Sequence, residues 1–142
     1  MSRVAPSLAV ALAVVCCGGA GVSAQRPAWL SERFAARLVG IARSVRHQDR
    51  HAKVERTFVV RSTHRRVQRL GGWQGSQSNH AVLVVELWGR MKHCHSAPTN
   101  AGACAVTDGL TVVIDASTGA TDDVIYGRLG AERLGPAYEL HV

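Results

Sequence analysis

The sequence predicts an α+β fold: one N-terminal amphipathic helix packed on a roughly four-stranded antiparallel sheet. Three observations predict it. Apolar residues recur at helical spacing between Leu30 and Val45. Two later segments, 54–63 and 81–92, are rich in β-branched residues and alternate partly with period two. A third region reads strand, turn, strand around the sequence DASTG. One helical pattern followed by strands with short connections is the order of an α+β domain.

The N-terminal sequence carries a basic residue at Arg3, an apolar run from Leu8 to Cys17, and small residues up to Val22-Ser23-Ala24 before Gln25. A basic start, a short apolar middle and small residues ahead of a cleavage point predict a signal peptide over 1–24. The run is too short to span a hydrocarbon core of about 30 Å as a helix. Residues 25–142 then form a single small exported domain with a C-terminal tail, secreted or held at the cell envelope. A lipid anchor at Cys16 or Cys17 is the lesser alternative, because Val15, not a small residue, precedes Cys16. No second apolar run follows, so the mature chain is expected to carry no transmembrane span.

In WLSERFAARLVGIARSVR, Leu30, Phe34, Leu38, Ile41 and Val45 form one stripe, and Arg33, Arg37 and Arg43 fall off it. The stripe is expected to pack on a sheet. Val54–Thr63 reads as a strand; His64–Leu70 reads either as a helical turn or as the strand's end. GGWQGSQSNH is loop. AVLVVELWGRMK is the strongest strand: Ala81, Leu83, Val85, Leu87 and Met91 should meet the helix. Val82, Val84, Glu86, Trp88, Arg90 and Lys92 should point the other way. In the hairpin turn from Asp115 to Gly119, the glycine suits a positive φ. The last fifteen residues are expected to be a tail.

The signal peptide holds Cys16 and Cys17, leaving Cys94 and Cys104 in the mature chain. An even count in an exported chain predicts a disulfide between them, closing the mouth of a hairpin loop. His93 and His95 flank Cys94, and alternate positions on a strand share a side. Two imidazoles could hold a metal ion. A tight site needs three or four ligands, however, and a disulfide-bonded cysteine is not one. His64 or His80 could supply a third, but spacing places neither. No cofactor is expected, and the absence of CxxC disfavours a thioredoxin-type role.

Charge is uneven. Residues 26–69 carry twelve basic residues against three acidic ones, and residues 70–142 carry four against seven. Arg43, Arg46, Arg50, Lys53 and Arg56 are candidates for contact with an anionic polymer; a solvated surface explains the same composition. The chain lacks G-x-S-x-G, H-E-x-x-H and P-loop sequences. Asp122 and Asp123 are adjacent, so on a regular strand they would face opposite ways. Trp88, beside Glu86 and Arg90, is a candidate anchor for a partner; packing against the tail is the alternative.

Taken together, VERTFVVRSTHRRV, VLVVELWGRM and LTVVIDASTGATDD, in that order, resemble a group of small exported proteins of high-GC Gram-positive bacteria. The resemblance covers most of residues 54–127; the Cys94 and Cys104 pair departs from it. It implies export and a PepSY-like or cystatin-like helix-plus-sheet fold, and it carries over no catalytic residue. The expected function is a non-enzymatic domain, polypeptide-binding or protease-modulating, whose partner is an envelope or extracellular polypeptide. Anion binding and metal binding at His93 and His95 are the alternatives.

Overall fold

The structure, a computed structural model, describes residues 25–48, 52–75, 78–94 and 104–142. The expected signal peptide and lipid-anchor cysteines lie outside these residues, as do Arg50 and His95 and the side chain of Arg46.

The α+β class is observed, with more elements than expected. Helix α1 (Glu32–Gln48) is followed by β1 (Lys53–Thr63), α2 (His64–Gly71), β2 (Ala81–Cys94), β3 (Cys104–Asp115) and β4 (Thr121–Tyr126). A 3-10 turn (Ala131–Arg133) and β5 (Tyr138–Leu140) complete the chain. The strands form one sheet in the order β4-β3-β2-β1-β5, with every pairing antiparallel. The one-helix, four-strand expectation is corrected in two places: His64–Gly71 is a second helix, as one of its two sequence readings allowed, and the tail contributes an edge strand. The first helix begins at Glu32, within the segment that carries the apolar stripe, and not at the start of the whole chain. No helix of the described residues is long and apolar enough to cross a membrane.

Helix α1 starts where Ser31 Oγ accepts a hydrogen bond from the Phe34 N–H at 3.2 Å, which satisfies one of the otherwise orphaned donors of the first turn. Its predicted stripe faces the sheet. Leu38 and Ala42 are fully buried, Phe34, Ile41 and Val45 pack around them, and Arg33, Arg37 and Arg43 are exposed. The core beneath α1 contains Leu83, Val85, Leu87 and Met91 of β2, Leu110, Val112 and Ile114 of β3, and Val59 of β1. The helix-facing set of β2 is therefore as expected.

The opposite face is not open. Phe58, Val60, Val82, Val84 and Val113 form a second core with Val67 of α2 and Ala131, Leu134 and Ala137 of the C-terminal segment. Six consecutive residues of β2, Val82 to Leu87, are each buried, the mark of a strand covered on both faces. Trp29 packs on the first core, and Trp73 and Trp88 on the second.

Residues 127–137 cross this second face from β4, at one edge, to β5, at the other. An irregular segment over a buried surface needs partners for its backbone groups, and one cross-strand pair supplies them. Glu86 and Thr111 stand opposite each other in the β2–β3 register and are both buried. Glu86 Oε1 accepts from Gly130 N–H at 2.8 Å. Its Oε2 accepts from Ala131 N–H at 3.3 Å and from Trp88 Nε1–H at 3.0 Å. Thr111 Oγ1 donates to the Gly127 carbonyl and accepts from Leu129 N–H. β2 bends at Gly89, where the β2–β3 register slips between Trp88 and Met91. Gly89 has φ 141°, and a Cβ there would run into the Lys53 carbonyl, so glycine is required.

Replacing Glu86 by alanine removes the acceptor for three N–H donors. Each donor left buried and unpaired costs about 1–3 kcal/mol. Glu86→Ala should lower unfolding free energy by roughly 3 kcal/mol or more, measured by urea titration. Amide exchange at Gly130 and Ala131 should accelerate beyond that seen in α1.

Candidate functional site

Two features stand out: a histidine–aspartate cluster on the second face, and an apolar groove beside β4 on the first.

The cluster forms because α2 and its loop are inserted into the β1–β2 hairpin. The last paired residues are Thr63 and Ala81, so His64 and His80 meet one step beyond. His64 N–H donates to the His80 carbonyl at 3.0 Å, and the two rings stack with centroids 5.0 Å apart. Across the sheet, β4 carries a bulge. Val113 pairs with Asp123 and Ile114 with Thr121, leaving Asp122 as the inserted residue. A bulge turns neighbouring side chains out of strict alternation. Asp122 Oδ2 reaches His80 Nε2 at 2.7 Å, and Asp123 Oδ2 reaches His64 Nε2 at 3.1 Å. The expectation that adjacent aspartates face apart fails for this reason.

Asp115 completes the group from the hairpin turn. Its Oδ2 is 3.6 Å from His80 Nε2, while Oδ1 accepts from Ser117 Oγ–H, Ser117 N–H and Thr118 N–H at 2.6–2.8 Å. The Ser117 hydroxyl first, then the two backbone donors, hold the Asp115 carboxyl well below the usual carboxylate range. Gly119 closes the turn at φ 72°, as its position in the sequence predicts.

The groove lies where α1 stops short of covering β3 and β4. It has a volume of about 480 Å³ and is lined by Ile41, Val45, Met91, Val112, Val124 and Tyr126, among others. Val124 pairs with Val112 and Tyr126 with Leu110, so both project on the α1 side. They are 49% and 51% exposed, two of the three large apolar side chains exposed among the described residues. No strand among the described residues pairs with the outer side of β4.

The residues named from sequence fall elsewhere or divide. Cys94 and Cys104 face each other at the end of the β2–β3 register, with sulfurs 2.12 Å apart in disulfide geometry. His93 stacks on Tyr126, centroids 3.5 Å apart, at the rim of the groove; its intended companion His95 lies outside the described residues. Among the basic candidates, Arg43 is exposed and Lys53 lies 3.5 Å from Glu55. Arg56 makes a two-pronged bond to Glu139 of β5 at 2.8–2.9 Å and lies over the Phe58 ring. That bond holds the Glu139 carboxyl below its ordinary value and raises Arg56 further. Trp88 is partly buried: Phe58 packs on it at 4.6 Å and the Arg128 guanidinium covers its ring at 3.6 Å.

The cluster was missed as a unit because its members come from four places in the chain, and only strand register joins them. His64 and His80 were visible as candidates without positions. No family model, curated protein or solved structure matches the chain.

Two outcomes follow. Asp115 and Glu139 hold protons less readily folded than unfolded. Their stabilisation is therefore complete above the unfolded carboxylate value, near pH ~4, and is lost as pH falls through their lowered values. Denaturant midpoints should drop on acidification below pH ~4, and Glu139→Gln should flatten that drop. Replacing Cys94 and Cys104 by serine frees the ten-residue separation between them and should cost roughly 3 kcal/mol on the chain-entropy account, read from the shift in unfolding midpoint.

Proposed function

We propose that the protein is an extracytoplasmic, non-enzymatic binding domain that takes up an extended polypeptide along β4. The observation that carries this is the pairing of an open sheet edge with exposed apolar side chains over a groove. An added strand satisfies its own backbone groups and those of the outer side of β4, and main-chain hydrogen bonds supply affinity. Its alternate side chains point to one face, so every second residue meets Val124, Tyr126 and the groove floor of Met91 and Val112. The other edge is a poor rival: β5 is three residues long and its Glu139 is tied to Arg56.

Several features support the extracytoplasmic part. The Cys94–Cys104 pair has disulfide geometry, and disulfides persist in oxidising compartments. The N-terminal sequence has the pattern of a signal peptide. The resemblance to small exported PepSY-like proteins is consistent with a polypeptide ligand, as in protease modulation. Trp88 enters this reading only indirectly, since Arg128 and Phe58 already cover it.

Selection of displayed random peptides against the purified chain tests the proposal. Enriched peptides should slow amide exchange at residues 121–126. Val124→Lys, which places a charge on the edge as natural edge strands do, should weaken their binding at least tenfold, about 1.4 kcal/mol. Equal binding by Val124→Lys, or protection confined to α2 and the C-terminal segment, would refute it.

A further inference from the structure

The histidine–aspartate cluster lies on the face opposite the groove, and polypeptide binding makes no use of it. We propose that His80, Asp115 and Asp122 form a binding site for a Zn²⁺-like divalent transition-metal ion. One nitrogen and two carboxylate oxygens, from three separate parts of the chain, lie within 4.8 Å of one another. Ligand atoms about 2.1 Å from a tetrahedral zinc lie about 3.4 Å apart. The two distances from His80 Nε2, 2.7 Å to Asp122 and 3.6 Å to Asp115, bracket that value. Each carboxylate oxygen is thus within an ångström of its ideal distance from Nε2, and the two oxygens lie within 4.8 Å of each other.

The ligands are also oriented from outside, as metal ligands usually are. Ser78 Oγ lies 2.8 Å from His80 Nδ1. A neutral His80 that donates its Nδ1–H to this oxygen presents the Nε2 lone pair to the centre of the cluster. Asp115 is fixed through Oδ1 by three donors, which leaves Oδ2 directed at His80. Two carboxylates match the charge of a divalent cation. Imidazole with carboxylate is a donor set suited to zinc more than to magnesium or calcium, which prefer oxygen alone.

A second observation comes from His64. It is 5% exposed, stacks on His80, and its Nδ1 has no hydrogen-bond partner. Held by Asp123 through Nε2, it forms a polar wall beside the three ligands. Three protein ligands leave a fourth position for water or another small donor.

The full exported chain should be titrated with ZnCl₂ and, separately, MgCl₂ by calorimetry, with circular dichroism recorded for each variant. The expected result is one saturable Zn²⁺ site per chain and no comparable Mg²⁺ site. Asp122→Asn keeps the side chain's shape and an oxygen within reach of His80 Nε2, so it should fold normally and bind Zn²⁺ at least tenfold more weakly; His80→Gln should do the same. The His93→Ala/His95→Ala double variant should bind as the parent does. Absence of saturable Zn²⁺ binding, unchanged binding by a folded Asp122→Asn, or loss of binding in the double variant would each overturn the assignment.

Discussion

Glu86 and Thr111 stand side by side at the centre of the sheet's second face, surrounded by valines, and the remaining architecture depends on what they bind. An apolar face can be covered by a helix, whose backbone satisfies itself. The C-terminal segment is largely irregular and brings free N–H and C=O groups onto a dry surface. The carboxylate of Glu86 accepts two of those N–H groups, at Gly130 and Ala131. The hydroxyl of Thr111 serves both a carbonyl and an N–H on either side of Arg128. With the crossing fixed, Arg128 comes to rest on Trp88, and the chain reaches the far edge to form β5. There the Arg56–Glu139 pair ties the last strand to the first. A polar pair that would be expensive to bury alone becomes the means of closing a three-layer structure.

The two faces are consequently unequal. The second is sealed by α2 and the crossing segment. On the first, α1 covers the sheet together with flanking residues such as Trp29 and Leu30, and the β3–β4 end is left as the groove. Val124 and Tyr126 stand there half-exposed, lining the groove. A small domain with one edge strand left open and apolar exposes itself to pairing with other chains. The Tyr126–His93 stack and the two aspartates at the start of β4 limit but do not remove that exposure. Retaining such an edge is intelligible if a polypeptide occupies it.

Departures from regular strand geometry set up both candidate sites. The bulge at Asp122 turns two consecutive carboxylates onto two histidines, and the hairpin insertion that forms α2 brings those histidines into a stack. The bend at Gly89 lets β2 and β3 continue as a two-stranded extension towards Cys94 and Cys104, with Met91 and His93 placed along the groove. Bulges of this kind concentrate where a strand has to re-aim side chains.

Much of this was legible in residues that act locally. The α1 stripe, the helix-facing residues of β2, the Asp115–Gly119 turn and the pairing of Cys94 with Cys104 each follow from periodicity, turn chemistry or count. The residue types of the cluster were visible as well, but not their association. His64 and His80 meet through the β1–β2 register, and Asp122 and Asp123 turn the same way through a one-residue slip. Neither register nor slip is encoded at short range. Glu86 reads only as a residue on the face turned away from the helix, because alternation distinguishes two faces of a strand without saying what covers either one. The covering segment is some forty-five positions away in sequence. Side-chain spacing therefore determined the elements by itself. Which polar groups are buried, which edge stays open and which ionisable groups share a site were decided only when distant backbone groups had to find their hydrogen-bond partners.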